Sequence, residues 1–150
     1  MECVLCRIGN ENAVITETKH WIVSLSHDQS YLGRCLIVAK RHVGSLSELK
    51  KCEWEDFGEV VKRLELALTK AFNATLFNIN CMMNDAYLKH PPNPHVHWHL
   101  RPRYSHTVVF EGRTFFDKEF GHRFNPEKTR KVRDNLRDDI IARMITYLGT

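Results

Sequence analysis

No stretch of this chain approaches the roughly 18–20 consecutive apolar residues that span a bilayer, so no transmembrane helix is expected. The opening residues MECVLCRIGN lack the apolar core of a secretory signal peptide, and the expected location is the cytoplasm. Internal repeats and low-complexity segments are absent, so no repeat architecture is expected. Charge of either sign is not in large excess: the formal net charge is +4, too little to choose nucleic acid over phosphate-bearing small molecules. A second close cysteine pair, as in a zinc finger, is missing too. The five cysteines at 3, 6, 35, 52 and 81 favour thiolate metal binding or inert burial over a disulfide framework in a reducing compartment. What remains is a chain of 150 residues, 43% hydrophobic and 27% charged, which describes one globular domain able to bury a core without staples.

Apolar periodicity divides the chain into strands at 13–16, 20–26 and 35–39, then a helix. Ser45, with Glu48 three residues on, has capping-box spacing and marks the helix start. Trp54, Phe57, Val61, Leu64, Leu68 and Ala71 repeat at helical spacing to about Phe72. A strand at 75–83 follows. Three prolines between 91 and 94 make 84–94 a loop. Residues 107–116 have the form of a hairpin closed by Glu111-Gly112. Asn125 before Pro126 reads as the start of a last helix, with Val132, Leu136, Ile140, Met144 and Leu148 as its apolar stripe. The expected fold class is α+β, built on an antiparallel meander.

The densest chemistry lies in HVHWHL, residues 95–100. In a strand, His95, His97 and His99 stand on one face roughly 6–7 Å apart, with Val96, Trp98 and Leu100 on the other. Such a row can grip a phosphate; a plain metal site or a solvated edge is the other use of it. A neutral imidazole is a competent nucleophile, and a second one on the same face can be protonated to hold a phosphoryl oxygen. If His97 attacks phosphorus, its spare nitrogen must be pinned by an acceptor such as a backbone carbonyl. His99 and the Asn84 amide are the natural donors to the developing charge. Arg101, Arg103, Arg113, Lys118 and Arg123 follow the row and read as a solvated basic surface. Tyr31, Trp98 and Tyr104 read as core aromatics before base-stacking groups.

HVHWHL after a strand–helix–strand unit, with LIVAKRHV upstream, resembles the histidine triad (HIT) superfamily of nucleotide hydrolases and transferases, over roughly residues 3–103. The resemblance implies a HIT-like antiparallel sheet with a long helix after the third strand. It implies a catalytic core at 1–103, with 104–150 as a hairpin and helix extension packed on the same domain. It also implies that His97 becomes nucleotidylated, that His99 contacts the scissile phosphate, and that Asn84 touches phosphate. The family's Gly-Gln-Ser/Thr stretch is replaced by His90-Pro91-Pro92-Asn93-Pro94, where Asn93 or His90 substitutes, and the last apolar position of the triad motif is Arg101. The ribose-binding position falls at Ser26, with Asp28 close by.

In zinc-bearing members a CxxC near the start joins two histidines, which here implies Cys3, Cys6, His42 and His95 around a structural zinc ion. Free thiols at the terminus are the alternative. The expected function is a nucleotide-phosphate hydrolase or nucleotidyl transferase working through a nucleotidyl-histidine intermediate on adenosine nucleotides, such as diadenosine polyphosphates or nucleotide phosphoramidates. The alternatives are a nucleotide-binding or zinc-stabilised module with little catalysis and, given the basic residues beyond the triad, a nucleic-acid end-processing enzyme. A small-molecule nucleotide and a second copy of the chain, forming a homodimer, are the expected partners; nucleic acid and membrane are not.

Overall fold

The computed structural model describes residues 3–149. Seven strands and two long helices are named in chain order. Strands β1 (Val14–Glu17), β2 (Trp21–Leu25) and β3 (Cys35–Ala39) precede helix α1 (Lys51–Phe72). Strands β4 (Leu76–Cys81) and β5 (His97–Arg103) come next, then a hairpin of β6 (Val108–Phe110) and β7 (Arg113–Phe115), and helix α2 (Asp134–Leu148). The main sheet has the order β1-β2-β3-β5-β4 and every pairing in it is antiparallel. A mixed α+β fold with a helix after the third strand and a helix at the C-terminal end is what the sequence pattern predicts. Among the described residues no helix is long and apolar enough to cross a membrane.

Strand register divides the sheet cleanly. Trp21↔Ala39, Val23↔Ile37, Leu25↔Cys35, Ile37↔Trp98 and Cys35↔Leu100 pair across the sheet, so these residues share one face. That face packs on α1 through Val60, Leu64, Ala67, Leu68 and Phe72. Leu136, Ile140, Met144 and Leu148 of α2 complete the same core, and Arg63 donates to the Leu148 carbonyl at the end of α2. Gly33 sits at φ 84°, and a Cβ there would lie 2.5 Å from Leu68 Cδ2, so this turn into β3 admits only glycine. Glu111 and Gly112 take φ of 45° and 68° between β6 and β7, the two positive values that a two-residue hairpin turn needs.

Both helices start later than their local signals suggest. Ser45 caps only the short 3-10 turn Leu46–Glu48, its hydroxyl accepting from the Ser47 N–H at 3.3 Å. α1 begins at Lys51 because Glu53 accepts from the Lys50 N–H at 2.7 Å and pairs through both carboxylate oxygens with Arg41. That ion pair holds the Glu53 carboxyl down at about 2. Asn125 caps a single turn, accepting from Glu127 N–H at 2.9 Å. Beyond it, Arg130 N–H donates to Asp28 Oδ1 and the Arg130 carbonyl accepts from Gln29 N–H. These long-range bonds claim the backbone that a helix from Asn125 would have used, and α2 waits until Asp134.

Arg103 is the fastening of residues 117–122 to β5. Its side chain is 1% exposed and donates to both oxygens of Asp117, to Asn78 Oδ1, and to the carbonyls of Glu119 and His122. All five N–H groups of the guanidinium are thereby used. Replacing Asp117 by alanine leaves this charge buried without its counter-ion, and the loss of stability should be about 3–5 kcal/mol, measured by denaturant unfolding.

Candidate functional site

The face of β5 away from α1 carries His97, His99, Arg101 and Arg103 in sequence, because side chains alternate along a strand. Asn78 and Asn80 of β4 share that face, being paired in register with Arg101 and His99. His97, His99 and Arg101 border a cavity of about 460 Å³. Its other walls come from the N-terminal turn (Cys3, Val4, Leu5), the 82–93 segment (including Met83, Asn84, Lys89 and Asn93), Arg34, and Phe124–Pro126 of the segment between β7 and α2.

His97 Nδ1 lies 2.8 Å from the His95 carbonyl oxygen. A carbonyl only accepts, so Nδ1 carries the proton and Nε2 keeps its lone pair. This is the acceptor that residue-level chemistry demanded but sequence could not name. The His99 ring lies 5.0 Å from that of His97, centroid to centroid, at 67°. Its Nδ1 is buried with no partner among the described residues. Burial, reinforced by His97, Arg101 and Arg34, pushes its imidazolium pKa down to about 3. The expected protonated partner for phosphate is therefore a neutral imidazole in the free protein.

His95 turns away from this row. Its Nε2–H donates to the Ala39 carbonyl at 2.7 Å, which leaves Nδ1 as the lone-pair atom. That atom lies 3.3 Å from Cys3 Sγ and 3.5 Å from Cys6 Sγ, while His42 Nδ1 is 3.3 Å from Cys6 Sγ. One donor atom from each of Cys3, Cys6, His42 and His95 falls within 4.8 Å of the others. Two sulfurs and two imidazoles at these separations fit a tetrahedral zinc ion with metal–ligand bonds of about 2.0–2.3 Å, and the Ala39 carbonyl is the outer partner such a histidine needs.

The structure brings Asn84, Asn93, His97 and His99 to one cavity, with His95 at its edge. Ser26 and Asp28 do not line it. Ser26 Oγ accepts from the Asp28 N–H at 3.2 Å. The Asp28 carboxylate accepts from Ser30 and Arg130 N–H groups and pairs with Arg34, so it organises the 26–34 loop. Two arginines of β5, of which Arg101 lines the cavity, depart from the sequence expectation. Arg101 is 4% exposed rather than part of a solvated basic surface, and Arg103 is likewise buried, whereas Arg113, Lys118 and Arg123 are exposed. The signal for Arg101 was present: it continues the period of two beyond His99. Arg34, Phe124 and Asn125 carry no local signal, since long-range packing brings them to the cavity. Tyr31, Trp98 and Tyr104 are core residues: Tyr104 donates to the Leu32 carbonyl, Tyr31 accepts from Asn125 N–H, and Trp98 packs against Phe57.

A family model described as HIT domain matches residues 8–106. Among solved structures, a hypothetical histidine triad nucleotide-binding protein from Sulfolobus tokodaii is 18% identical, with a TM-score of 0.73 over 98% of this chain and 92% of that one. A zinc-bound histidine triad family protein from Mycobacterium smegmatis is 21% identical, with a TM-score of 0.65 over 99% and 94%. A uridylyltransferase matches at 17% identity and a TM-score of 0.63, over 99% of this chain and 45% of its own. At these identities the likeness is one of fold. A search of curated proteins gives no match.

The depressed His99 pKa has a defined sign. The folded protein holds this ring neutral while the unfolded chain takes up a proton below about pH 6.5, so the stabilising effect is complete above that pH and is lost as pH falls toward about 3. Between pH 6.5 and 4.5 the wild type should lose about 2 kcal/mol more than the His99→Gln variant, measured by denaturant unfolding at the two pH values.

Proposed function

The chain belongs to the HIT domain family, and on that premise we propose that it is a nucleotide hydrolase or nucleotidyl transferase whose nucleophile is His97. One observation carries the reading: the His95 carbonyl fixes the His97 tautomer so that Nε2 offers a lone pair to the cavity. In this reading Nε2 attacks the phosphorus of a bound nucleotide, and the bond from phosphorus to the leaving group breaks with its electron pair going to that group. Positive charge then grows on the imidazole, and the hydrogen bond from Nδ1–H to the carbonyl strengthens as it does. A second attack on phosphorus, by water or another acceptor, releases the nucleotide and restores the ring.

His99 is proposed as the contact to the scissile phosphate, and Asn84 and Asn93 as amides that meet phosphoryl oxygens across the cavity. Ser26 and Asp28, which do not line the cavity, are proposed to act only through the loop they shape, which places Arg34. Residues 1–103 carry the phosphorus chemistry, and 104–150 shape the cavity through Phe124–Pro126. Adenosine nucleotides, as dinucleoside polyphosphates or phosphoramidates, are the proposed substrates. A cytoplasmic location and a homodimer belong to the same reading. For the dimer, β4 is an edge strand of the sheet, and Leu66, beside Phe77 in a surface groove, is 53% exposed.

Incubation with a radiolabelled adenosine nucleotide and acid-free quenching should trap an acid-labile label on His97. His97→Ala should abolish both adduct and turnover while retaining binding. More than about a tenth of the wild-type rate in that variant would overturn the assignment, since losing a covalent nucleophile should cost several kcal/mol. A protein that binds nucleotide but never takes up label is instead a binding module.

Cys3, Cys6, His42 and His95 are proposed to hold zinc, which ties the N-terminal turn to the strand end that orients His97. The ion supplies structure and no reaction step. Purified protein should carry one zinc per chain by atomic emission, and His42→Ala or Cys6→Ser should lose most of it on dialysis against a mild chelator and unfold at lower temperature.

A further inference from the structure

Arg101 and Arg103 sit two residues apart on the same face of β5, yet they are used differently. Arg103 spends all five donors on protein groups. Arg101, also buried, makes one hydrogen bond among the described residues, from Nη1 to Asn80 Oδ1 at 2.8 Å. Its flat face lies 4.1 Å from the centre of the Phe124 ring, which leaves the edge of the guanidinium as its route to a ligand. Among the described residues no carboxylate touches it. Asp28, the acidic group in reach, is already committed to Arg34 and to two backbone N–H groups. Arg34 lines the same cavity with a buried Nε that has no partner, and the unpartnered Nδ1 of His99 lies in the row between Arg101 and His97. A buried guanidinium without a counter-ion is costly unless an anion completes it. One that braced the fold would use its donors as Arg103 does.

We propose that Arg101, with Arg34 beside it, binds a second phosphate of the substrate, set off from the phosphorus that His97 attacks. The proposal rests on the nucleotide reading of the cavity. Along the strand Arg101 stands four residues, about 13 Å, beyond His97, so its side chain addresses a group distinct from the attacked phosphoryl. Two sources of that phosphate share the same chemistry: the next unit of a polyphosphate chain, or a phosphate on the ribose.

Calorimetric titration of the zinc-loaded full chain with AMP, ADP, adenosine 3′,5′-bisphosphate and inorganic pyrophosphate tests this. The wild type should bind ADP or the bisphosphate at least about tenfold more tightly than AMP, as expected for a charge-assisted bidentate pair, and the tighter of the two identifies the source. Arg101→Gln should bring that ratio to within about twofold of unity and weaken pyrophosphate binding, with Arg101→Lys between, since it keeps the charge but not the fork. Equal binding of all three nucleotides by the wild type, or an undiminished ratio in Arg101→Gln, overturns the proposal. Should Arg101→Gln fail to fold, Arg101→Lys and Arg34→Gln read the same ratio, and an unchanged ratio in both overturns it equally. The adduct on His97 separates the two levels. A labelled wild type with no second-phosphate preference removes this proposal alone. An unlabelled protein that still loses pyrophosphate affinity on Arg101→Gln removes the catalytic reading and keeps this one.

Discussion

The pleat of β5 is the constraint from which the rest of the molecule follows. The strand is hydrogen-bonded to β3 and to β4, so its register is fixed on both sides. Every second side chain therefore faces the helix and every other one faces the cavity. Trp98 and Leu100 join the core while His97, His99, Arg101 and Arg103 stand on the open face. A slip of one residue would send the imidazoles into the core and the indole into the cavity, so packing and chemistry specify one register together. The hydrophobic effect, acting on residues that do no chemistry, thus holds the reactive row in place.

His95 connects two parts of the protein that would otherwise be separate. Its ring faces Cys3, Cys6 and His42, its Nε2–H is anchored on Ala39, and its carbonyl orients His97. One residue thus meets the N-terminal turn, the end of β3 and His97. The histidines that begin as three equal members of a row divide in the structure by the hydrogen bonds their ring nitrogens make, and this division cannot be read from spacing alone.

What the sequence made legible was local and periodic. The strands, the hairpin turn at Glu111-Gly112 and the apolar stripe of α2 follow from alternation, positive-φ chemistry and helical spacing, all of which act within a few residues. The helix starts misled because their local caps are real but outbid: Ser45 closes a 3-10 turn before Glu53 and Arg41 build the true start, and the strand-like bonding of Arg130 with Asp28 and Gln29 displaces the start from Asn125 to Asp134. Arg101 was within reach, since it extends the same alternation, but its charge pointed to the surface while the strand register holds it on the cavity face. Arg34 and Phe124 were out of reach, because contacts between residues 67 positions apart, as for Arg34 and Arg101, or 23 apart, as for Phe124 and Arg101, leave no trace in a local pattern.

Arg103 gives the cavity an unusual mechanical property. Its bonds join Asn78 on β4, Asp117, and the backbone at 119 and 122, and only two residues further along the chain Phe124 becomes part of the wall. The wall is therefore not a flap hinged at the surface. Releasing it means breaking a buried, fully satisfied guanidinium on β5, so the strand and this wall are expected to share one opening free energy and to exchange their protected amides as a single cooperative unit.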